Sequence, residues 1–133
     1  MRTHLEFVSP HFPPYDDEFE TVNPNRYGKR LADFLAKELT ADGFTIKNVI
    51  AEDWGWMVSL DNPKFTLWIG CGNYEEFDNG FLCFIEASTP FFANLFSKID
   101  IEPAVEKLAT AIESILLNSP KVTQLRWWNE DES

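Results

Sequence analysis

The chain is expected to fold as an α+β domain in which an antiparallel sheet of about five to six strands carries two long helices on one face. Three observations predict this. Two stretches repeat apolar residues at helical spacing. Four segments between them alternate apolar and polar residues as half-buried strands do. Short turn sequences join those four segments, so neighbours pair antiparallel as a meander. The expected order is β-α-β-β-β-β-α-β, with the strand order in the sheet left open.

Residues 3–8 alternate weakly and form the first strand. Residues 9–22 hold Pro10, Pro13, Pro14 and the run Asp16-Asp17-Glu18, and read as an acidic, proline-rich arm. Asn23 and Pro24 suit the N-cap and first position of a helix. Tyr27, Leu31, Phe34, Leu35 and Leu39 continue it, and Gly43 suits a left-handed stop. The expected helix covers residues 24–41. Strands follow over residues 44–51, from Trp56 to Leu60, from Phe65 to Cys71 and from Phe81 to Ala87. Glu52-Asp53-Trp54-Gly55 and Asp61-Asn62-Pro63 are turns, and residues 72–80 a polar loop. Residues 91–96 form a short apolar segment. Ile101, Val105, Leu108, Ile112 and Ile115 trace the second helix, which Asn118-Ser119-Pro120 stops. Residues 122–128 are the last strand and residues 129–133 an acidic tail.

The 133 residues match one domain, read as residues 1–133. A chain this long buries about two thirds of its unfolded surface. The 44% hydrophobic and 15% aromatic content, with 12 Phe and 5 Trp, excludes global disorder. Eleven basic residues face 22 acidic ones, for a net charge of -11. Such a surface repels phosphate backbones and anionic bilayers, so neither nucleic acid nor membrane is expected as a partner. It attracts basic proteins, and it also keeps an aromatic-rich domain in solution. The N-terminal residues lack the apolar run of a signal peptide, and no apolar stretch nears the about 20 residues of a membrane span. A cytoplasmic location with reduced thiols is the expectation.

The segments Asn23-Pro24-Asn25-Arg26-Tyr27-Gly28 and Glu52-Asp53-Trp54-Gly55-Trp56 resemble a family of small bacterial proteins without an assigned activity. The resemblance runs from the first helix to Arg126-Trp127-Trp128. It implies a bacterial source and no particular function.

Among chemically capable residues, Cys71 and Cys83 come first. A hairpin centred near Phe77 sets them opposite one another, on a face shared with Leu67, Ile69, Phe81 and Ile85. They read as core thiols. His4 and His11, beside Asp16 and Asp17, read as surface histidines. No cofactor or metal site is expected, since the chain has no Cys-x-x-Cys and only two histidines. No catalytic triad, phosphate loop or carboxylate pair is recognisable, so the chain reads as a non-enzyme with the question left open. Glu52, Asp53, Trp54 and Trp56 could together line a pocket for a cationic group, with Gly55 at positive φ or close to another backbone. They could equally form a structural turn. Arg26, Lys29 and Arg30 at the first helix start invite either a bound anion or the acids of the arm.

Alternation assigns Leu67, Ile69, Phe81, Cys83, Ile85, Leu125 and Trp127 to the helix-covered side of the sheet. The other side receives Met57, Trp68, Leu82, Phe84 and Trp128, with Glu86 and Arg126 between them. That set is too apolar for an ordinary solvent face. Either the chain covers it, or a protein partner or a second copy does. The leading expectation is a non-enzymatic, acidic protein-binding module, analogous in size and charge to immunity proteins and secretion chaperones. The alternative is a small-molecule binding domain or enzyme with its pocket near Trp54 and Trp56.

Overall fold

The computed structural model describes residues 1–18, 26–74, 78–89 and 100–128. The chain forms β1 (His4–Val8), α1 (Lys29–Ala41), β2 (Ile46–Glu52), β3 (Gly55–Leu60), β4 (Thr66–Asn73), β5 (Gly80–Ser88), α2 (Glu102–Leu117) and β6 (Thr123–Trp128). The expected order of elements is the observed one. Six strands make one sheet in the order β2-β3-β4-β5-β1-β6, with every neighbouring pair antiparallel. β2 to β5 are the meander. The helical crossover between β5 and β6 leaves one position free, and β1 fills it.

Period-two alternation divides the sheet into two faces. Leu5 and Phe7 of β1, Val58 and Leu60 of β3, Leu67, Ile69 and Cys71 of β4, and Phe81, Cys83 and Ile85 of β5 are buried on one face. Leu31, Ala32, Leu35 and Leu39 of α1 and Val105, Leu108, Ala109, Ile112 and Leu116 of α2 complete the same core. Those helix positions follow the three- and four-residue spacing of an apolar stripe. Fully burying one such leucine contributes about 1.5–3 kcal/mol. Leu125 and Trp127 of β6 pack against this core, half-buried.

The N-terminus is latched to α2. The Arg2 backbone N–H donates to Glu106 Oε1 at 3.0 Å, and its guanidinium reaches Glu106 at 3.0 Å and Glu113 at 3.4 Å. The Arg2 backbone N–H and then its guanidinium hold the Glu106 carboxyl below the usual carboxylate range. Trp127 Nε1 donates to Glu113 as well, so β6 joins the same latch.

The first helix is shorter than expected. It starts at Lys29 with Gly28 as N-cap, and residues 26–28 are not helical. Asn23 and Pro24 lie outside the described residues. The physical reason is a tie between residue 27 and the end of β4. Asn73 N–H donates to the Tyr27 carbonyl at 2.8 Å, and Tyr27 N–H donates to Asn73 Oδ1 at 3.1 Å. At the other end Gly43 has φ +99°. Its N–H donates to the Thr40 carbonyl at 3.1 Å, and Phe44 N–H to the Leu39 carbonyl at 3.0 Å. These two bonds make a Schellman stop. α2 begins with Pro103 in its first turn, and Asp100 Oδ1 accepts from Glu102 N–H at 3.1 Å. The apolar segment 91–96 and the acidic tail 129–133 lie outside the described residues.

Two expected outcomes follow. Nothing lies within 4 Å of a Cβ built on Gly43, so Gly43→Val costs only its left-handed backbone, about 1–2 kcal/mol. Urea unfolding measures it, and an unchanged midpoint would place the helix end elsewhere. Cys71 and Cys83 are free, buried and directly paired in register. Hydrogen bonding with Cys83, then burial, pushes the Cys71 thiol well up. Reaction needs an accessible thiol and both are buried, so both label with a maleimide only after unfolding.

Candidate interaction surface

The face of the sheet away from the helices is built by register. Across the strands, Ile50 of β2 lies beside Met57, Met57 beside Gly70, Gly70 beside Phe84, Phe84 beside His4, and His4 beside Trp128. Partners in register share a face. One transverse row therefore takes a residue from all six strands, and only His4 in it is polar. The place above Gly70 is filled by the Phe84 ring, since a Cβ there would sit 2.2 Å from Phe84 Cζ. His4 stacks on Trp128 at 4.4 Å and on Phe84 at 5.7 Å. Trp54, in the two-residue turn between β2 and β3, stacks on Trp68 at 5.9 Å and meets Phe84 at 5.1 Å. Trp68 meets Phe84 edge-on at 5.6 Å. Such ring pairs contribute about 0.5–1.5 kcal/mol each beyond the area they bury.

Met57, Trp68, Leu82, Phe84 and Trp128 are each half-buried. Ile50, at the β2 end of the row, is 40% exposed. The Trp128 Nε1 is a buried donor with no hydrogen-bond partner among the described residues. Carboxylates flank the row. Glu86 lies beside Trp68, Glu6 beside Leu82, Glu52 ends β2, and Asp53 shares the turn with Trp54. Arg126 is the one cation among these register positions, and its Nε donates to Glu6 at 2.7 Å.

His4 corrects the reading of both histidines as surface groups. It is 9% exposed, because β1 is an interior strand and its ring lies between two others. His11 is exposed, as expected.

The two indoles of the Glu52-Asp53-Trp54-Gly55-Trp56 segment go to opposite sides. Trp54 joins the helix-free face. Trp56 is buried on the core side, where its Nε1 donates to Glu18 Oε2 at 3.0 Å. Glu52 and Asp53 are exposed. Two residues apart on a strand share a face, but Trp54 belongs to the turn and escapes that rule. Gly55 has φ +153°, and a Cβ on it would lie 2.4 Å from the Cys71 carbonyl oxygen. Both expected uses of that glycine are present.

Glu18 is the residue that sequence reasoning missed. It is 2% exposed. Its Oε2 accepts from Gly28 N–H at 2.7 Å, Lys29 N–H at 3.0 Å and the Trp56 indole; its Oε1 accepts from Tyr15 N–H at 3.1 Å. The carboxylate thus occupies the start of α1, where unpaired backbone N–H groups favour an anion. Lys29 Nζ adds positive charge 5.4 Å from the centres of the Tyr15 and Trp56 rings. Burial, then the Glu18 carboxylate, pushes the Tyr27 phenol up. Of the alternatives for the helix start, the arm supplies the anion. The acidic run next to prolines was a signal for that, but nothing in it singled out Glu18.

Among the described residues, no group of three or more His, Cys, Asp or Glu side chains could hold a metal, and no helix is long and apolar enough to cross a membrane. Comparison with protein-family models, curated proteins and solved structures finds no match. The resemblance of segments 23–28 and 52–56 therefore carries no family assignment.

Glu18→Ala leaves three backbone N–H groups and an indole without their acceptor, and should cost about 3 kcal/mol. Glu18→Gln keeps an acceptor oxygen and should cost about half as much. Urea midpoints followed by tryptophan fluorescence compare the two. A Glu18→Ala midpoint equal to wild type would remove the carboxylate from its place at the helix start.

Proposed function

We propose that the protein is a non-enzymatic binding module that holds another protein against the helix-free face of its sheet. The partner presents apolar side chains ringed by lysine and arginine. The transverse row from Ile50 to Trp128, with Trp54 and Trp68 beside it, carries this reading. A partner covering those rings removes apolar area from water at ~25 cal/mol per Å², and aromatic anchors commonly dominate such contacts. Glu52, Asp53 and Glu86 around the row supply the charge to steer a basic partner. A second copy is the poorer complement, because it brings another net charge of -11 to the same face. The separation of Trp54 from Trp56 removes the support for a pocket built from both indoles.

The test is capture from cell extract by immobilised wild type, with the bound protein identified, purified and titrated. Trp68→Ser should weaken its binding at least ~10-fold, the effect of losing one aromatic anchor. Raised salt should slow association. The pair Asp53→Lys with Glu86→Lys reads the steering alone, should Trp68→Ser fail to fold. Undiminished binding by the folded Trp68→Ser variant, or association independent of salt and of the charge reversals, would overturn the reading.

A further inference from the structure

A second surface lies on the other side of the molecule, away from the aromatic row. The arm, α1 and the connection between α2 and β6 enclose a cleft of about 260 Å³ lined by His11, Phe12, Arg30, Phe34, Ser119 and Pro120. The volume is near the lower end of small-ligand sites, which start at about 300 Å³. We infer that this cleft binds a small carboxylate attached to a ring or a branched alkyl group.

Charge is the first argument. The chain has 22 acidic residues, yet among the described residues no carboxylate lines this cleft, while a guanidinium and an imidazole do. The second is the state of Arg30. Its Nε donates to the Pro13 carbonyl at 2.9 Å, and its guanidinium carbon lies 4.2 Å from the centre of the Tyr15 ring. Those contacts fix the plane of the group. Its two terminal nitrogens donate to none of the described residues, so they remain for a ligand. A planar donor fork held in place matches a carboxylate and loses little freedom on binding.

The walls supply the third argument. The Phe12 ring lies 5.3 Å from Phe34, and it meets Phe7 and Phe81 edge-on at 6.3 and 5.8 Å. Phe12 is 5% exposed, so it forms a rigid apolar wall anchored in the core. Ser119 Oγ donates to the Ile115 carbonyl at 2.8 Å, which fixes the opposite lip. The nearby Asp33 carboxylate on α1 accepts from the Tyr15 hydroxyl at 3.1 Å. Room for one ring beside a fixed guanidinium selects a free small acid over a polymer. Phenylacetate is the simplest probe of that chemistry.

The experiment is an NMR titration of the full chain with phenylacetate, its neutral isostere phenylacetamide, and N-acetylphenylalanine. Phenylacetate should shift the signals of Phe12, Phe34 and Ser119 and saturate in the millimolar range. The amide should bind roughly 10- to 100-fold more weakly, the worth of a charge-assisted hydrogen bond. Arg30→Gln should lose as much, and Arg30→Lys should restore only part of it. N-acetylphenylalanine binding more weakly than phenylacetate assigns the site to free acids. Tighter binding would overturn that choice in favour of the C-terminal residue of a peptide. Trp68→Ser should leave the titration unchanged, which separates this site from the aromatic face. Equal binding of acid and amide, shifts confined to other residues, or no shift at all would overturn the inference. Unaltered binding by Arg30→Gln would do the same; if that variant fails to fold, the acid and amide arms on wild type decide.

Discussion

A single buried carboxylate organises one end of this molecule. An ionised carboxyl group removed from water is costly unless hydrogen bonds replace its hydration. Glu18 receives four, from Tyr15 in the arm, Gly28 and Lys29 at the start of α1, and Trp56 on β3. Three separately folded pieces of chain must therefore meet at one group. The consequences run outward from it. The arm is held across the end of the sheet, so Phe12 enters the core between Phe7, Phe34 and Phe81. The first turn of α1 is closed although its own N-cap, Gly28, has no side chain to close it.

Much of the fold was legible because period-two alternation is local. β3, β4 and β5 needed only their own residues and adjoining turns, and the pairing of Cys71 with Cys83 followed from the loop length between them. Gly43 was legible for the same reason, since a Schellman stop uses bonds within one turn. The start of α1 was not. Its cap acceptor lies ten residues upstream of Gly28, beyond the reach of any capping pattern. Asn23 and Pro24 offered a plausible local start, but a tie to Asn73 near the β4 end kept residue 27 out of the helix.

The candidate surface divides in the same way. Alternation put Trp68, Phe84 and Trp128 on one side. It could not tell which strands would be neighbours. β1 was expected as a strand without assigned neighbours, and it lies between β5 and β6. That placement turns His4 from a surface group into the link between Phe84 and Trp128. Without β1 in that position the rings would be two separate clusters. Trp54 escaped for a different reason, because a turn residue obeys no strand parity and its side depends on the turn itself.

For the cations of α1 either a bound anion or the acids of the arm was expected, and Glu18 of the arm takes the backbone N–H groups at the helix start. Glu18 is committed to backbone and indole donors, and Asp33 accepts from the Tyr15 hydroxyl. Arg30 is consequently held by the Pro13 carbonyl and the face of Tyr15, neither of which carries a charge. A guanidinium whose direct contacts are neutral keeps more of its field than one in a close ion pair, even with Asp33 on the far side of the Tyr15 hydroxyl. Arg126 shows the contrast on the other face, where Glu6 lies 2.7 Å from its Nε. The net charge of -11 therefore does not describe the molecule uniformly. The same commitment of Glu18 that starts the helix leaves the Arg30 guanidinium without an ion-pair partner among the described residues, at the mouth of an apolar cleft.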